Sequence, residues 1–383
     1  MTSGAGLTPA ERGGVRGGAK CPTGEVSKGT VELDRVTKRY GRTVAVDRVS
    51  FVIESGTLVT LLGPSGCGKT TTLRMLAGLE LPSEGAIRIG GRDVTNVHAT
   101  ERNVSMVFQS YALFPHLSVL ENVMYGLLTR GSPRREAEAR AAEALALVGL
   151  QGCEKRLPGE LSGGQQQRVA VVRALVLEPE VLLFDEPLSN LDAKLRRRMR
   201  DEIRELQQRL GLTAVYVTHD QEEALSVSDR IIVMDRSVVV QEGSPRELYE
   251  GPDSLFVASF MGDANLVDGV VRPADPGSGD FVLELGALVV PLPLRARAVR
   301  AGPVRVAIRP EAITLTRRTG AGTAHLEGRV SRSAYLGRHM EYSVSTPVGD
   351  LFVVSLETLD PLLEGETVSI SLRPDPGVTI VPG

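Results

Sequence analysis

Residues Gly63-Pro64-Ser65-Gly66-Cys67-Gly68-Lys69-Thr70 spell G-x-x-x-x-G-K-T, and their setting restricts the fold more than any other segment. The apolar run Leu58-Val59-Thr60-Leu61-Leu62 precedes them and predicts a buried strand. A helical run from Thr71 to Leu79, closed by Gly78, follows. A strand that aims a glycine loop at a helix N-terminus makes a phosphate cradle, because the loop N–H groups and the helix dipole both favour an anion. Gly63 to Thr71 are therefore candidate nucleotide ligands: Lys69 reaches the β- and γ-phosphates, and the Thr70 hydroxyl meets Mg²⁺. Cys67 stands where the pattern leaves the residue free. It is either a tolerated small residue or a thiol whose alkylation would block the nucleotide.

At 383 residues the chain has room for two or three domains, each with its own core. A net charge of −3 gives no general reason to bind nucleic acid or an anionic membrane. The three cysteines (Cys21, Cys67, Cys153) are far apart, which argues against a disulfide framework and for a reducing cytosol. No run approaches the ~18 apolar residues of a membrane span. Residues 1–28 are rich in Gly, Ala, Ser and Arg without an apolar stretch, so they read as a disordered tail and not as a signal peptide.

Beyond the tail, Thr30 to Val36 and Val49 to Ile53 alternate as half-buried strands do, and Val104 to Phe108 predicts another strand. Ser132 as cap with Pro133 in the first turn opens a helix whose face carries Ala141, Leu145 and Val148 and which Gly149 ends. A second helix, from about Ala193 to Leu210, carries the stripe Leu195, Met199, Ile203, Leu206 and Leu210, and Gly211 terminates it. Its Arg196, Arg197, Arg198 and Arg200 read as a solvated face paired with Asp201, Glu202 and Glu205. From Val267 onward short alternating runs replace helices, between turn signals such as Asp275-Pro276-Gly277 and Thr346-Pro347-Val348-Gly349-Asp350. That predicts a separate small all-β domain, a barrel.

Two further segments bear on chemistry. Val181-Leu182-Leu183-Phe184-Asp185-Glu186 is a buried strand ending in two carboxylates: Asp185 suits Mg²⁺, and Glu186 suits a general base for water. In Leu161-Ser162-Gly163-Gly164-Gln165, Ser162 can cap a helix beginning near Gly164 whose glycines leave N–H groups open to an anion. The chain thus carries a second phosphate site.

Leu161 to Gln165 resembles the signature motif of ATP-binding cassette (ABC) ATPases, and the remaining motifs stand in that family's order. The resemblance covers about residues 29–260 and implies an α/β P-loop NTPase cassette with a helical subdomain, the helical insert falling at about 110–180. Tyr40 resembles the aromatic that stacks on adenine, and Gln109 the glutamine that senses Mg²⁺ and links to the membrane partner. Asp192, in Ser189-Asn190-Leu191-Asp192, resembles the loop crossing the dimer interface; His219 resembles the switch histidine at the γ-phosphate. The family implies ATP and Mg²⁺ as cofactors, with Ser162, Gly163, Gly164 and Gln165 closing on ATP held by a second copy's Lys69. Hydrolysis would then open the dimer.

Residues 261–383 are similar to the OB-like, transport-associated tail of importer ATPases, with Ile308-Arg309-Pro310-Glu311 and Tyr335-Leu336-Gly337 as the weaker motifs. The resemblance implies transmembrane permease subunits as partners, a solute-binding protein indirectly, and a peripheral position on the cytoplasmic face of the membrane. Asn190, Met199 to Gln207 and Met261 to Asn265 are similar to the ferric iron branch; polyamine and phosphonate importers share the layout. An ABC ATPase acting on DNA or ribosomes is the alternative from another class. DNA-repair members carry a long coiled coil between the two phosphate motifs and translation factors carry two cassettes, whereas this chain has a compact insert and one cassette. A regulatory ligand for the β domain would add to the ATPase without replacing it.

Overall fold

Strand β3 (Leu58–Leu62) is buried at every position, as its apolar run requires of a central strand in a parallel sheet, and its one polar residue, Thr60, hydrogen-bonds Ser228. The computed structural model describes residues 29–274, 280–292, 300–318, 326–373 and 377–381. The expected tail (1–28), Cys21 within it, and the Asp275-Pro276-Gly277 turn lie outside these residues. β3 lies between two parallel neighbours, β8 (Thr213–Thr218) and β9 (Arg230–Asp235). β7 (Val181–Asp185) and β6 (Val104–Val107) extend the sheet in parallel, and β10 (Val238–Gly243) closes the other edge antiparallel to β9. The order is β10-β9-β3-β8-β7-β6.

A second sheet, antiparallel, has the order β2-β1-β4-β5, from β1 (Val31–Tyr40), β2 (Thr43–Ile53), β4 (Glu84–Ile89) and β5 (Arg92–Asp93). Helix α1 (Lys69–Ala77) shares one core with both sheets: Leu73, Met75 and Leu76 pack with Leu33, Phe51 and Ile87 and with Leu61, Val215 and Ile232. Gly78 ends α1 in the left-handed conformation expected of it.

On the opposite side α4 (Gly163–Leu175) and α5 (Ala193–Leu210) pack on β7 and β8 through Ala170, Ala174, Met199 and Ile203 against Phe184 and Tyr216. With α2 (Val119–Thr129) and α3 (Arg134–Leu147), α4 also builds a separate helical core around Val123, Leu145 and Val172. α3 begins one residue later than read: Pro133, in extended backbone, takes the cap position expected for Ser132. In α5, Leu210 of the expected stripe is exposed while Met199, Ile203 and Leu206 are buried. α6 (Gln221–Val227), α7 (Pro245–Glu250) and α8 (Leu255–Phe260) cover β9 and β3 through Ala224, Leu248 and Val257.

The C-terminal region is all β, as its alternating runs require. Among the described residues the barrel is two five-stranded antiparallel sheets around one core. The first contains β11 (Asn265–Pro273), β12 (Phe281–Leu285), β13 (Leu288–Pro291), β14 (Gly302–Ile308) and β20 (Val378–Val381). The second contains β15 (Ile313–Arg317), β16 (Leu326–Tyr335), β17 (Met340–Thr346), β18 (Gly349–Ser355) and β19 (Thr367–Leu372). The Asn265 amide ties them, donating to Phe352 O (2.8 Å) and accepting from Phe352 N (2.6 Å).

Arg309 fastens this region to the cassette. Its guanidinium is buried, lies 4.0 Å above the Tyr249 ring and donates to the carbonyls of Ala258, Met261 and Tyr249. The Tyr249 hydroxyl in turn donates to Glu311 (2.5 Å). A cation that satisfies three chain carbonyls and a ring face is hard to replace. Arg309→Ala is expected to destabilise the chain by about 2–4 kcal/mol by leaving those carbonyls unpaired. Chemical denaturation reads this out; an unchanged midpoint would show that the joint does not depend on Arg309.

Candidate functional site

Three loops leave the carboxyl ends of the parallel strands together, where ligands bind in open α/β sheets. The first is the glycine loop after β3. Gly63 has φ 158°, and a Cβ there would lie 2.1 Å from Met234 O of β9; at Gly68, φ 104°, it would lie 2.5 Å from Ala45 O of β2. Only glycine lets the loop run this close to both neighbouring strands. Lys69 is 95% buried, and its Nζ donates to Gly63 O (2.7 Å) and Pro64 O (2.9 Å). The ammonium is therefore stationed inside the curl of the loop. α1 starts at Lys69, two residues before the sequence suggested, so Lys69, Thr70 and Thr71 form its first turn. Cys67 is buried, and burial pushes its thiol up while Lys69 opposes the rise. Its burial and the direction of that shift fit a small packed residue better than a reactive thiolate.

The second loop follows β7. Asp185 ends the strand beside this loop; burial pushes its carboxyl above its ordinary value, the Glu186 charge adds to the rise, and Arg74 and the nearby Thr70 oppose it. Glu186 adopts φ 44°, a left-handed conformation uncommon for a residue with a side chain. Its N–H donates to Val217 O (3.0 Å), which holds the kink. The kink turns the Glu186 carboxylate toward the third loop, where Oε1 lies 3.1 Å from His219 Nδ1. A carboxylate only accepts, so this pairing keeps a proton on Nδ1 and leaves the Nε2 edge of the exposed ring outward.

Tyr40 ends β1, exposed, with Lys38 Nζ 4.9 Å from its ring centroid; the facing strand β2 is the one packed on Gly68. Gln109 is exposed just beyond β6, and its carbonyl accepts from Asn190 Nδ2 (3.0 Å), joining the loops after β6 and β7. Ser162 caps α4 as read: Oγ accepts from Gln165 N (3.4 Å), and Ser162 N donates to Gln165 Oε1 (3.0 Å). The helix starts at Gly163, one residue early. Gly164 has a further task, since a Cβ there would stand 2.9 Å from Leu195 Cδ1 of α5. Asp192 caps α5, accepting from Leu195 N (2.9 Å).

The structure thus brings Gly63 to Thr71, Asp185, Glu186 and His219 to one edge. Among the described residues no hydrogen bond joins Ser162 to Gln165 with residues 63–71. The arginines of α5 correct the sequence reading in part. Arg198 pairs with Glu202 (2.9 Å) as expected, but Arg200 pairs with Glu222 (3.7 Å) and Arg196 with Asp220 (3.4 Å) and Glu223 (3.8 Å), on or capping α6. The available signal was Asp220 followed by Glu223, a capping residue and a carboxylate next to His219.

Gly63→Ala should displace the loop from β9 and weaken binding of a fluorescent ATP analogue by at least ~10-fold, or ~1.4 kcal/mol. An unchanged affinity would separate the loop geometry from nucleotide binding.

Residues 46–189 match the ABC transporter family model, and residues 306–380 match the TOBE domain model. The chain is 59% identical over 339 residues, 88% of its length and 93% of the relative's, to the Fe(3+) ions import ATP-binding protein FbpC of Brucella abortus (strain 2308). It is 57% identical over 358 residues (94% of this chain, 99% of the relative) to FbpC 1 of Rhizobium meliloti (strain 1021). With FbpC of Escherichia coli (strain K12) identity is 53% over 317 residues, 83% and 88% of the two chains. Among solved structures, a post-hydrolysis dimer of the ATP-binding cassette MJ0796 with ADP and Pi matches at TM-score 0.50 and 35% identity. The match covers 56% of this chain and 99% of that one. On the strength of relatives this similar over most of its length, the chain belongs to the ABC transporter family of ATP-binding proteins.

Proposed function

We propose that this chain hydrolyses ATP to energise ferric iron import, as the ATP-binding subunit of a transporter whose permease subunits span the membrane. The identity to three proteins named for Fe(3+) import, each aligned over more than four-fifths of this chain, carries the cargo. The Glu186–His219 pair beside the glycine loop carries the chemistry. No helix among the described residues is long and apolar enough to cross a membrane, which fits a peripheral subunit on the cytoplasmic face. Residues 29–260 form the cassette, with its helical insert at about 110–180, and residues 261–383 the β domain.

Loop amides from Gly63 to Thr71 and the Lys69 ammonium hold the β- and γ-phosphates, and Tyr40 stacks on adenine. The Thr70 hydroxyl and the Asp185 carboxylate, close enough for Thr70 to oppose the rise of that carboxyl, are hard oxygen donors that fit Mg²⁺, with Gln109 as a further ligand. When bound, that ion neutralises charge on the β- and γ-phosphates. Glu186 takes a proton from the attacking water as its oxygen bonds to the γ-phosphorus and the bond to the leaving oxygen breaks. His219 orients the γ-phosphate and holds Glu186 in place. A second copy contributes Ser162 to Gln165 and the Asp192 loop across the nucleotide, so that ATP joins the two chains and hydrolysis releases them.

The helical insert is the surface proposed to meet the permease. Leu113 is largely committed to the cores. Phe114, by contrast, packs tilted against Tyr125, ring centroids 4.7 Å apart, beside the Arg173 guanidinium, and Tyr125 is 49% exposed, which leaves an aromatic ledge on the insert that follows Gln109.

Glu186→Gln removes the base, a loss of ~10²–10⁴-fold in rate. Cells carrying only this variant should lose ferric uptake under iron limitation and keep polyamine and phosphonate uptake. Normal ferric uptake with failed spermidine or putrescine uptake would reassign the cargo.

A further inference from the structure

Arg196 faces the same cleft as Glu186 and His219 but touches neither. Its guanidinium makes three distinct contacts. Nη2 donates to Leu191 O (3.1 Å), in the loop that begins at Glu186. Nη1 donates to Asp220 Oδ2 (3.4 Å), and Nε pairs with Glu223 Oε1 (3.8 Å). Those two carboxylates support the His219 turn from beneath. Asp220 caps α6 by accepting from Glu223 N (3.0 Å), and its own N–H donates to Thr218 Oγ1 (3.0 Å). The Thr218 hydroxyl donates to Glu223 Oε2 (2.8 Å), as does Tyr216 (3.1 Å). Residues on both sides of His219 are therefore bonded into one network.

Glu223 is 97% buried, and Arg196 is the cation paired with it. A buried carboxylate with hydroxyl donors alone and a like charge beside it is strongly disfavoured. Burial already pushes the Glu223 carboxyl up and the Asp220 charge adds to it; losing the guanidinium adds further, so Glu223 would take up a proton or draw away from Thr218 and Tyr216, and either change loosens the His219 turn. The same loss frees the Leu191 carbonyl and with it the loop that carries Glu186.

We infer that Arg196 is a positioning residue for ATP hydrolysis, fixing the loop after Glu186 and the His219 turn relative to each other. The inference rests on the hydrolytic reading of Glu186 and His219. It predicts an effect on turnover and not on nucleotide binding, because Arg196 has no contact with residues 63–71. A misplacement of about 1 Å in such a pair costs on the order of 10²-fold in rate.

The test measures steady-state ATPase, analogue affinity and melting temperature of the full chain. It compares the wild type, Arg196→Gln, Arg196→Lys, Arg198→Gln, Arg196→Gln with Glu223→Gln, and Glu186→Gln. Arg196→Gln should lower kcat by roughly 10–100-fold with KM within about twofold. Arg196→Lys should recover part of the loss, and adding Glu223→Gln should recover part of it by removing the unpaired buried charge. Arg198→Gln, which breaks only an exposed pair on the same helix, should match the wild type. Wild-type kcat in Arg196→Gln, or a loss shared equally by KM and analogue affinity, overturns the inference. If Arg196→Gln does not fold, Arg196→Lys decides: full wild-type kcat and KM there overturn it, and a kcat-only loss supports it. Full activity in Glu186→Gln would instead overturn the hydrolytic reading on which the inference stands.

Discussion

The parallel placement of β3 between β8 and β9 is the constraint from which the site follows. It sets the glycine loop against Met234 of β9, and it puts Val217 of β8 where its carbonyl can hold the Glu186 kink. The loops after β3, β7 and β8 then open at one edge, and each contributes one kind of group: amides with a cation, carboxylates, and an imidazole. Burial of the strands on both faces makes this arrangement rigid, since a shift of β3 would expose the Leu58 to Leu62 run.

The same economy recurs at the helix starts. Ser162, Asp192 and Asp220 each cap a helix by accepting from the N–H three residues on; Ser162 and Asp192 are themselves proposed to face ATP, and Asp220 follows His219. Capping fixes the backbone at the point where the chain enters the site, so local helix stability and site geometry are set by the same bonds. The first turn of α5 goes further, because Leu195 packs on Gly164 of the signature helix while Arg196 reaches the His219 turn. One helical turn therefore touches both the signature helix and the His219 turn.

Much of this was legible in the sequence, because it depends on local order. The strand–loop–helix around Lys69, the strand ending in Asp185 and Glu186, the Ser162 cap and the Gly78 and Gly211 stops are all set by neighbours within a few residues. What escaped depends on distant segments. Arg196 read as a solvated face because its partners, Asp220 and Glu223, lie on another element. The second reason for Gly164 required knowing that α5 crosses there, and the kink at Glu186 has no local signal because the Val217 carbonyl that holds it is on β8. Arg309, recognisable as part of a motif, gave no hint that it would stack on Tyr249 and fasten two regions together.

Each working ATP site is proposed to be built from two copies of this chain. Mixing two inactive variants tests it directly: Lys69→Ala, which spoils the glycine loop, and Ser162→Arg, which blocks the signature helix start. A mixed dimer contains one site with an intact Lys69 from one copy and an intact Ser162 from the other. The mixture should regain ATPase activity that neither variant shows alone. A mixture as inactive as its components, with mixed dimers demonstrated in solution, would contradict it.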